Sequence, residues 1–515
     1  MTLRVVDTST IDQSNAGFTP TETAQLYNGL DCCLTAEILA EVKRTYSTTA
    51  ETWEPQYGFT RGLQAPYLDM MLRGFAVDAY GRSQEAEALR TRIAALEAKF
   101  DRIVSGGFGD AFSGLNSAST KQLKMLFYDI MHLPEQWKSV KGARHVSVGR
   151  AELEKLSENY IHATPLINII LKIRDLTKQL EIFECDLDRD GRFRAGYNLV
   201  GTETGRPSSN KNAFGTGRNA QNIDPELRHI FQADHGYRLG YVDLEQVEAR
   251  DVGFICGALF DDWSLLDACE SGDFHTNNAK KVWPELPWTG DPKADRVIAD
   301  QIFYRTFTYR DMAKRGGHLS NYKGTAWTAA KALKVPQSIM EGFQERYCLG
   351  TNAAFTCIPR WWQWTIGELQ TKGTLQTLFG FKRTFLGRPS EAATHREAIA
   401  FQPQGTTAQR MNLGMWRVWK HEPRVGLLAQ GFDSIVFQFR ECSAAEEDEI
   451  MSHVLDLIRV EIVAPNGRRY VVPGEGKVGW NWGAESNVNP DGLRKWKPGA
   501  IETRTRKRFP GLGFM

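Results

Sequence analysis

The sequence has no excess of charge of either sign. Against 63 Lys and Arg stand 62 Asp and Glu in 515 residues, a formal net charge of +1. No global basic field advertises a nucleic-acid partner, so any surface for a polyanion has to be local. No run of 18 consecutive apolar residues occurs, which argues against a transmembrane helix. The opening Met1–Asp7 lacks the basic start and apolar run of a signal peptide. The eight cysteines (32, 33, 185, 256, 269, 348, 357 and 442) form no C-x-x-C pair. Neither a zinc ribbon nor a disulfide framework is expected, and a reducing compartment is the default. These absences predict a soluble chain, cytoplasmic or nucleoplasmic, with no membrane partner. No internal repeat and no low-complexity segment is present.

What is present is an ordinary globular composition, 42% hydrophobic and 24% charged, enough chain for roughly three to four structural units. The texture changes along it. Residues 1–55 are short and polar, with a helical stretch around Thr21–Tyr46. Helical periodicity dominates up to about residue 185; in Glu85–Phe100, for example, Ala86, Leu89, Ile93, Leu96 and Phe100 recur at three- and four-residue spacing. Residues 186–257 switch to short strands, loops and then a helix; helices dominate again from 258 to about 400, and strand patterns return near 425–440 and 468–480. In Tyr237–Asp243 alternation puts Tyr237, Leu239, Tyr241 and Asp243 on one face of a strand, and Leu244–Phe254 then reads as a helix. Leu427–Phe439 reads as a hairpin whose turn, Gly431-Phe432-Asp433-Ser434, carries an aspartate.

Three constellations could carry chemistry. Asp243 and Asp433 both fall at strand ends, the rigid placement that two-metal phosphoryl transfer asks of its carboxylates. Taken alone, such aspartates more often satisfy turn amides. Arg310, Lys314, His318 and Tyr322 recur every four residues along one side of a helix, two cations and then two rings, which suits phosphate, sugar and base. A solvated basic face is the plainer reading of one such stripe. Gly316 and Gly317 interrupt it, each costing about 1 kcal/mol relative to Ala, so either the helix is loosened or packing demands them. Finally, Gly201–Ser209, with Thr204 and Arg206, and Asn219-Ala220-Gln221-Asn222-Ile223 offer hydroxyls, amides and cations fit for nucleic-acid backbone contacts, or for a polar surface loop.

In this order the segments resemble the family A DNA polymerases, the class of bacterial DNA polymerase I and many phage replicases. Asp243-Leu244-Glu245-Gln246-Val247-Glu248-Ala249-Arg250 looks like D-Y-S-Q-I-E-x-R. Arg310, Lys314 and Tyr322 look like the fingers-helix motif R-x-x-x-K-x-x-x-F/Y-x-x-x-Y, and Phe432-Asp433-Ser434 stands at H-D-E. Thr204–Ser209 resembles T-G-R-L-S-S, and Asn219–Ile223 resembles N-L-Q-N-I. Fainter counterparts are Asn116-Ser117 with Gln122-Leu123, Arg174–Lys178 (R-E-L-T-K), Asp273-Phe274-His275-Thr276 (D-I-H-T), Thr377–Gly380 and Gln404-Gly405-Thr406.

The resemblance implies an α+β right-hand polymerase fold, with an antiparallel palm sheet and helical fingers and thumb. Residues 1–55 would be a remnant of a 3′–5′ exonuclease domain and 56–185 the thumb with helices leading into the palm. The palm would comprise 186–257 and 396–515, and 258–395 would form the fingers. Asp243, Asp433 and the Leu244 backbone carbonyl would hold two Mg²⁺ ions, with Mn²⁺ as a substitute. Arg310 and Lys314 would meet the triphosphate. Glu248 would be the gate against a ribose 2′-OH, with Gln246, His275, His318 and Tyr322 completing the nucleotide site. Thr204, Arg206, Asn219, Gln221, Asn222 and Gln404 would contact primer–template DNA, and dNTPs would be the substrates.

The pattern is not followed throughout. His318 stands where the family has Phe or Tyr, Ser434 where it has Glu, and Leu244 where it has Tyr; the asparagine expected shortly before Gln404 is missing. Tyr27 and Asp31 look like the last exonuclease motif, yet only 26 residues precede Tyr27. The expectation is therefore a phage-type replicative polymerase without proofreading of its own, served by a separately encoded exonuclease and a helicase–primase. Two other readings stay open at this stage: a single-subunit RNA polymerase, and a non-catalytic primer–template-binding replication factor.

Overall fold

The structure is a computed structural model that describes residues 19–47, 54–109, 112, 114–140 and 143–499. The chain divides into two compact units, Met1–Gly62 and Leu63–Met515. The basic cluster Arg504–Arg508 lies outside the described residues.

In the first unit the described residues form two helices, α1 (Pro20–Ser47) and α2 (Glu54–Gly62). Thr19 and Glu22 cap α1 reciprocally: the Thr19 amide donates to Glu22 Oε2 at 2.8 Å and the Glu22 amide donates to Thr19 Oγ1 at 3.3 Å. Leu26, Leu30, Ile38 and Val42 fall at multiples of four residues along α1, and all are exposed, as are Tyr27 and Asp31.

The second unit is built around a five-stranded sheet. Its strands are β1 (Tyr237–Leu244), β2 (Val425–Gln430), β3 (Ser434–Arg440), β4 (Gly474–Gly479) and β5 (Arg494–Lys495), in the order β2-β3-β1-β4-β5. All pairings are antiparallel, and β1 lies between the hairpin β2–β3 and strand β4. The register sets Ser434 and Glu475 directly opposite Asp243, one on each side. An aromatic cluster of Phe75, Phe193, Phe231 and Trp482 packs into the core around Leu239 and Val436.

Two helical lobes have cores of their own. In one, α3 (Ala79–Phe108) and α4 (Thr164–Glu184) contribute Phe100, Val104, Ile167 and Ile170, and Asp78 starts α3 by accepting the Gly81 amide at 2.9 Å. The other contains α5 (Val247–Phe260), α6 (Phe274–Val282), α7 (Tyr309–Asn321), α8 (Gln337–Gln344) and α9 (Cys357–Lys372) around Trp361, Tyr347 and Phe343. The unit also contains the long helix α10 (Ala392–His421) and α11 (Ala444–Ile458), besides shorter helices and two-stranded sheets.

Two expectations about the chain's course are settled by packing. The helix expected from Leu244 begins only at Val247: β1 runs through Leu244, and Gln246 adopts a left-handed conformation (φ 53°) that turns the chain from strand to helix. The glycine pair does not loosen α7. A Cβ at Gly316 would lie 2.9 Å from the Phe343 ring, and one at Gly317 would lie 3.2 Å from Tyr347 Oη. Close packing against these two rings, tightest at Gly316, accounts for the small residues.

A fully buried ionic network ties α5 to α10. Asp251 Oδ1 accepts from Arg410 Nη2 at 2.9 Å and from Tyr470 Oη at 2.8 Å, while Oδ2 accepts from Thr407 Oγ1 at 3.1 Å. Arg410 Nη1 donates to the Val460 carbonyl at 2.7 Å, and its guanidinium lies 4.8 Å from the Tyr470 ring centroid. Both charged side chains are 0% exposed.

Candidate active site

Asp243 is the penultimate residue of β1, and the β2–β3 turn delivers Asp433 beside it, because the Leu244 amide donates to the Asp433 carbonyl at 2.9 Å. Strand pairing thus converts 190 residues of separation in sequence into adjacency. Burial, reinforced by the Asp433 charge, pushes the Asp243 carboxyl up to about 7; Lys477 and the Tyr241 hydroxyl, 3.4 Å away, oppose the shift and Glu475 adds to it. Burial also raises the Asp433 carboxyl. Lys477, the cation that eases Asp243, shares Glu475 with Lys495, at 4.0 and 3.0 Å respectively. Two half-buried carboxylates with so little positive charge between them fit a divalent cation, an oxygen-loving group that would relieve their repulsion. No cluster of three or more metal-ligating side chains occurs among the described residues, so substrate or water oxygens would complete any coordination sphere.

Beside this pair, Glu248 on the first turn of α5 accepts from Arg206 with one oxygen and from Tyr322 Oη with the other. The Arg206 guanidinium lies over the Phe432 ring, 5.2 Å from its centroid, so the Gly201–Ser209 loop, α5, the end of α7 and the hairpin turn converge. His318 meets Tyr322 edge to face at 5.2 Å. Gln246 holds a buried Oε1 without a hydrogen-bond partner at the strand-to-helix turn.

The expected backbone-contacting residues gather along the same loop. Gln221 Nε2 donates to the Pro207 carbonyl at 3.1 Å and to Gln430 Oε1 at 3.2 Å, and its amide donates to Asn219 Oδ1 at 2.9 Å. Thr204 Oγ1 is 3.3 Å from Thr202 Oγ1. A Cβ on Gly405 would come 3.1 Å from the Thr204 carbonyl, which puts the Gln404 turn of α10 against that loop. Asn222 lies in the turn that follows Gln221.

The cations of α7 form a second group. A reciprocal cap by Thr308 and Asp311 starts the helix. Lys314 and His318 are exposed on it, whereas Arg310 is engaged by Asp273. Burial is the largest influence on Asp273 and would raise its pKa, but bonds from Arg310 and Thr276 outweigh it and hold the carboxyl well below the usual range. His275 is pushed down to about 4 by burial and then by Arg310 and Lys314, so it is a neutral imidazole at physiological pH; its buried Nδ1 has no partner.

The sequence profile of DNA polymerase family A matches residues 82–483, well over half of the chain. The chain belongs to that family. Among its family A relatives, the thermostable DNA polymerase I of Thermus aquaticus is 29% identical over 398 residues, 73% of this chain and 43% of that protein. DNA polymerase I of Chloroflexus aurantiacus is 25% identical over 468 residues, 87% of this chain and 45% of that protein. The chain therefore spans less than half the length of these family A relatives. The fold is that of the POL domain of Pol1 from M. smegmatis, solved in complex with DNA primer-template and dNTP: the TM-score is 0.61 at 22% identity, covering 82% of this chain and 69% of that one. The expected α+β family A fold is present, with its antiparallel sheet and helical lobes.

Sequence reasoning named the two aspartates, Glu248 and the α7 stripe, and the strand ends do bring Asp243 and Asp433 together. It left out Glu475 and Lys477, which flank Asp243 from β4, and it gave Asp273 and Phe432 no role. Alternation across β4 was a usable signal for the first pair. For Asp273 the only sequence signal was its place in the segment that resembles D-I-H-T.

Proposed function

We propose that this chain is a template-directed DNA polymerase that adds dNMP to a primer 3′-OH and releases pyrophosphate. The observation that carries the reading is the meeting of Asp243 and Asp433 at the strand ends of the central sheet, half-buried and short of counter-charge. These carboxylates and the Leu244 carbonyl would hold two Mg²⁺ ions (or Mn²⁺), which would supply charge stabilisation for the attacking and leaving oxygens. Arg310 and Lys314 bind the triphosphate and stabilise the charge that gathers on pyrophosphate. Neutral His275 offers a hydrogen bond to a phosphate oxygen. Glu248, held by Arg206 and Tyr322, presents a fixed wall to the sugar 2′-position, while His318 and Gln246 line the same nucleotide. Arg206, Thr204, Asn219, Gln221, Asn222 and Gln404 hold the primer–template by backbone and minor-groove contacts, which read geometry rather than sequence.

Replication in a phage or viral setting, in host cytoplasm, belongs to the same reading. So do synthesis without proofreading by this chain and partnership with a separate 3′–5′ exonuclease and a helicase–primase. The support for the separate exonuclease is that Tyr27 and Asp31 lie exposed on α1. The proposed domain bounds are those of the sequence analysis.

The deciding experiment is primer extension by the purified chain with Mg²⁺ and dNTPs on matched and mismatched primers. Extension of the matched primer, with the mismatched terminus left in place, is the expected result. Retained primer–template binding with no extension would replace this reading with that of a replication factor; removal of the mismatch would overturn the proofreading part alone.

A further inference from the structure

Arg310 is the one cation of the α7 stripe that is already committed to a partner. Its Nε donates to Asp273 Oδ2 at 3.0 Å and its Nη2 to Asp273 Oδ1 at 3.0 Å. A guanidinium carries five N–H donors, and this fork uses only those along its Nε/Nη2 edge. The second Nη2 hydrogen and both Nη1 hydrogens remain, and no carbonyl or carboxylate among the described residues takes the Nη1 pair. The remaining Nη2 hydrogen and one Nη1 hydrogen form the end edge, the geometry that grips two oxygens of one phosphate.

Asp273 is itself well fixed. It is the N-cap of α6, accepting the Thr276 hydroxyl at 2.9 Å and the Thr276 amide at 3.5 Å. Arg296 Nη1 donates to its Oδ2 at 3.0 Å, and Arg296 is pinned in turn by Asp300 at 2.5 Å. The carboxylate is thus held at three points and passes its position on to Arg310, on a helix 37 residues further along the chain.

We propose that Asp273 is the positioning residue of the triphosphate site: it occupies the side edge of Arg310 and aims the end edge at the β- and γ-phosphates of the incoming nucleotide. The proposal rests on the nucleotide role given above to Arg310. Without Asp273 the long Arg310 side chain would be free to sample many rotamers, and each nucleotide would have to order it on arrival. The same edge would meet free pyrophosphate, so positioning acts on the reverse reaction as well.

The test separates positioning from helix capping. Asp273→Asn keeps an N-cap acceptor for Thr276 and loses the charged fork; Asp273→Ser keeps the cap with a side chain too short to reach Arg310. Binding of the matched dNTP is measured by fluorescence on the complex of the full chain with a dideoxy-terminated primer–template, where no chemistry occurs. Steady-state KM and kcat are measured alongside on an extendable primer. Both variants should raise the dNTP dissociation constant and KM about tenfold, with a smaller fall in kcat and an unchanged melting temperature. In the Arg310→Ala background, Asp273→Asn should add less than about twofold, since the group it positions is gone. A dissociation constant within about twofold of the parent chain, or a full additional effect on Arg310→Ala, would overturn the proposal, as would a lowered melting temperature with unaltered nucleotide binding. Failure of the parent chain itself to extend primers would instead count against the polymerase reading.

Discussion

Asp243 and Asp251 lie eight residues apart, one at the end of β1 and the other inside α5, and their surroundings differ completely. Asp251 is wholly buried, with an arginine, a tyrosine and a threonine spending their hydrogen bonds on its two oxygens. Asp243 has a second aspartate for a neighbour, one hydroxyl at 3.4 Å, and a lysine that also serves Glu475. The completed assembly fixes α5 against α10. The incomplete one is a deficit of positive charge maintained by the rigid sheet, the deficit that the proposed divalent cations would relieve. Charge satisfaction thus separates the part that holds the fold from the part proposed to do the chemistry.

The comparison can be broken from either side. The largest expected effect is on catalysis: Asp243→Ala should lower primer extension by about a thousandfold or more while primer–template affinity in a mobility-shift assay changes little. If extension survived, the incomplete pair would not be the chemical centre. Next comes stability. Asp251→Ala leaves Arg410 buried without its partner and should cost about 3–5 kcal/mol in chemical denaturation, whereas Asp251→Leu combined with Arg410→Met should recover most of that loss. Glu248→Ala removes the proposed gate and takes away a partner of both Arg206 and Tyr322. Ribonucleotide incorporation should rise about 10–100-fold relative to deoxynucleotide, with a drop in overall rate, measured by competition on one template.

The smallest effect concerns pH. In metal-free protein the folded Asp243 carboxyl holds its proton up to about 7, while the unfolded group titrates near 3.9. Between those values the folded state binds more protons, so stability falls as pH rises through the window. Lowering the pH from about 8 to about 6 should therefore stabilise the metal-free chain by on the order of 1 kcal/mol, and millimolar Mg²⁺ should diminish that gain. Asp243→Asn should abolish the dependence. A pH profile unchanged by that substitution would show that Asp243 is not the strained group.

Much of this contrast was legible in the sequence, and the illegible part has a physical explanation. Alternation in Tyr237–Asp243 and the turn at Gly431–Ser434 identified the strand and hairpin, because period-two patterning and turn residues are local signals. The start of α5 was misplaced by three residues. Nothing in Leu244-Glu245-Gln246 announces a left-handed glutamine, a conformation imposed by the strand on one side and the helix on the other. The double glycine left two readings open because its reason, the rings of Phe343 and Tyr347, comes from a segment about 30 residues later. Asp251 and Arg410 each look like solvated charges on their helices, and only tertiary packing pairs them. The Asp273–Arg310 fork was hidden for the same reason.

The left-handed turn at Gln246 leaves just four residues between Asp243, at the proposed seat of the chemistry, and Glu248, the proposed sugar gate. The two duties hang from one short hinge of backbone and cannot drift apart independently. An insertion or deletion there would damage both at once, so changes in which nucleotide is accepted have to come from side chains around Glu248, such as Arg206, Tyr322 and Phe432, while the length of the chain stays fixed.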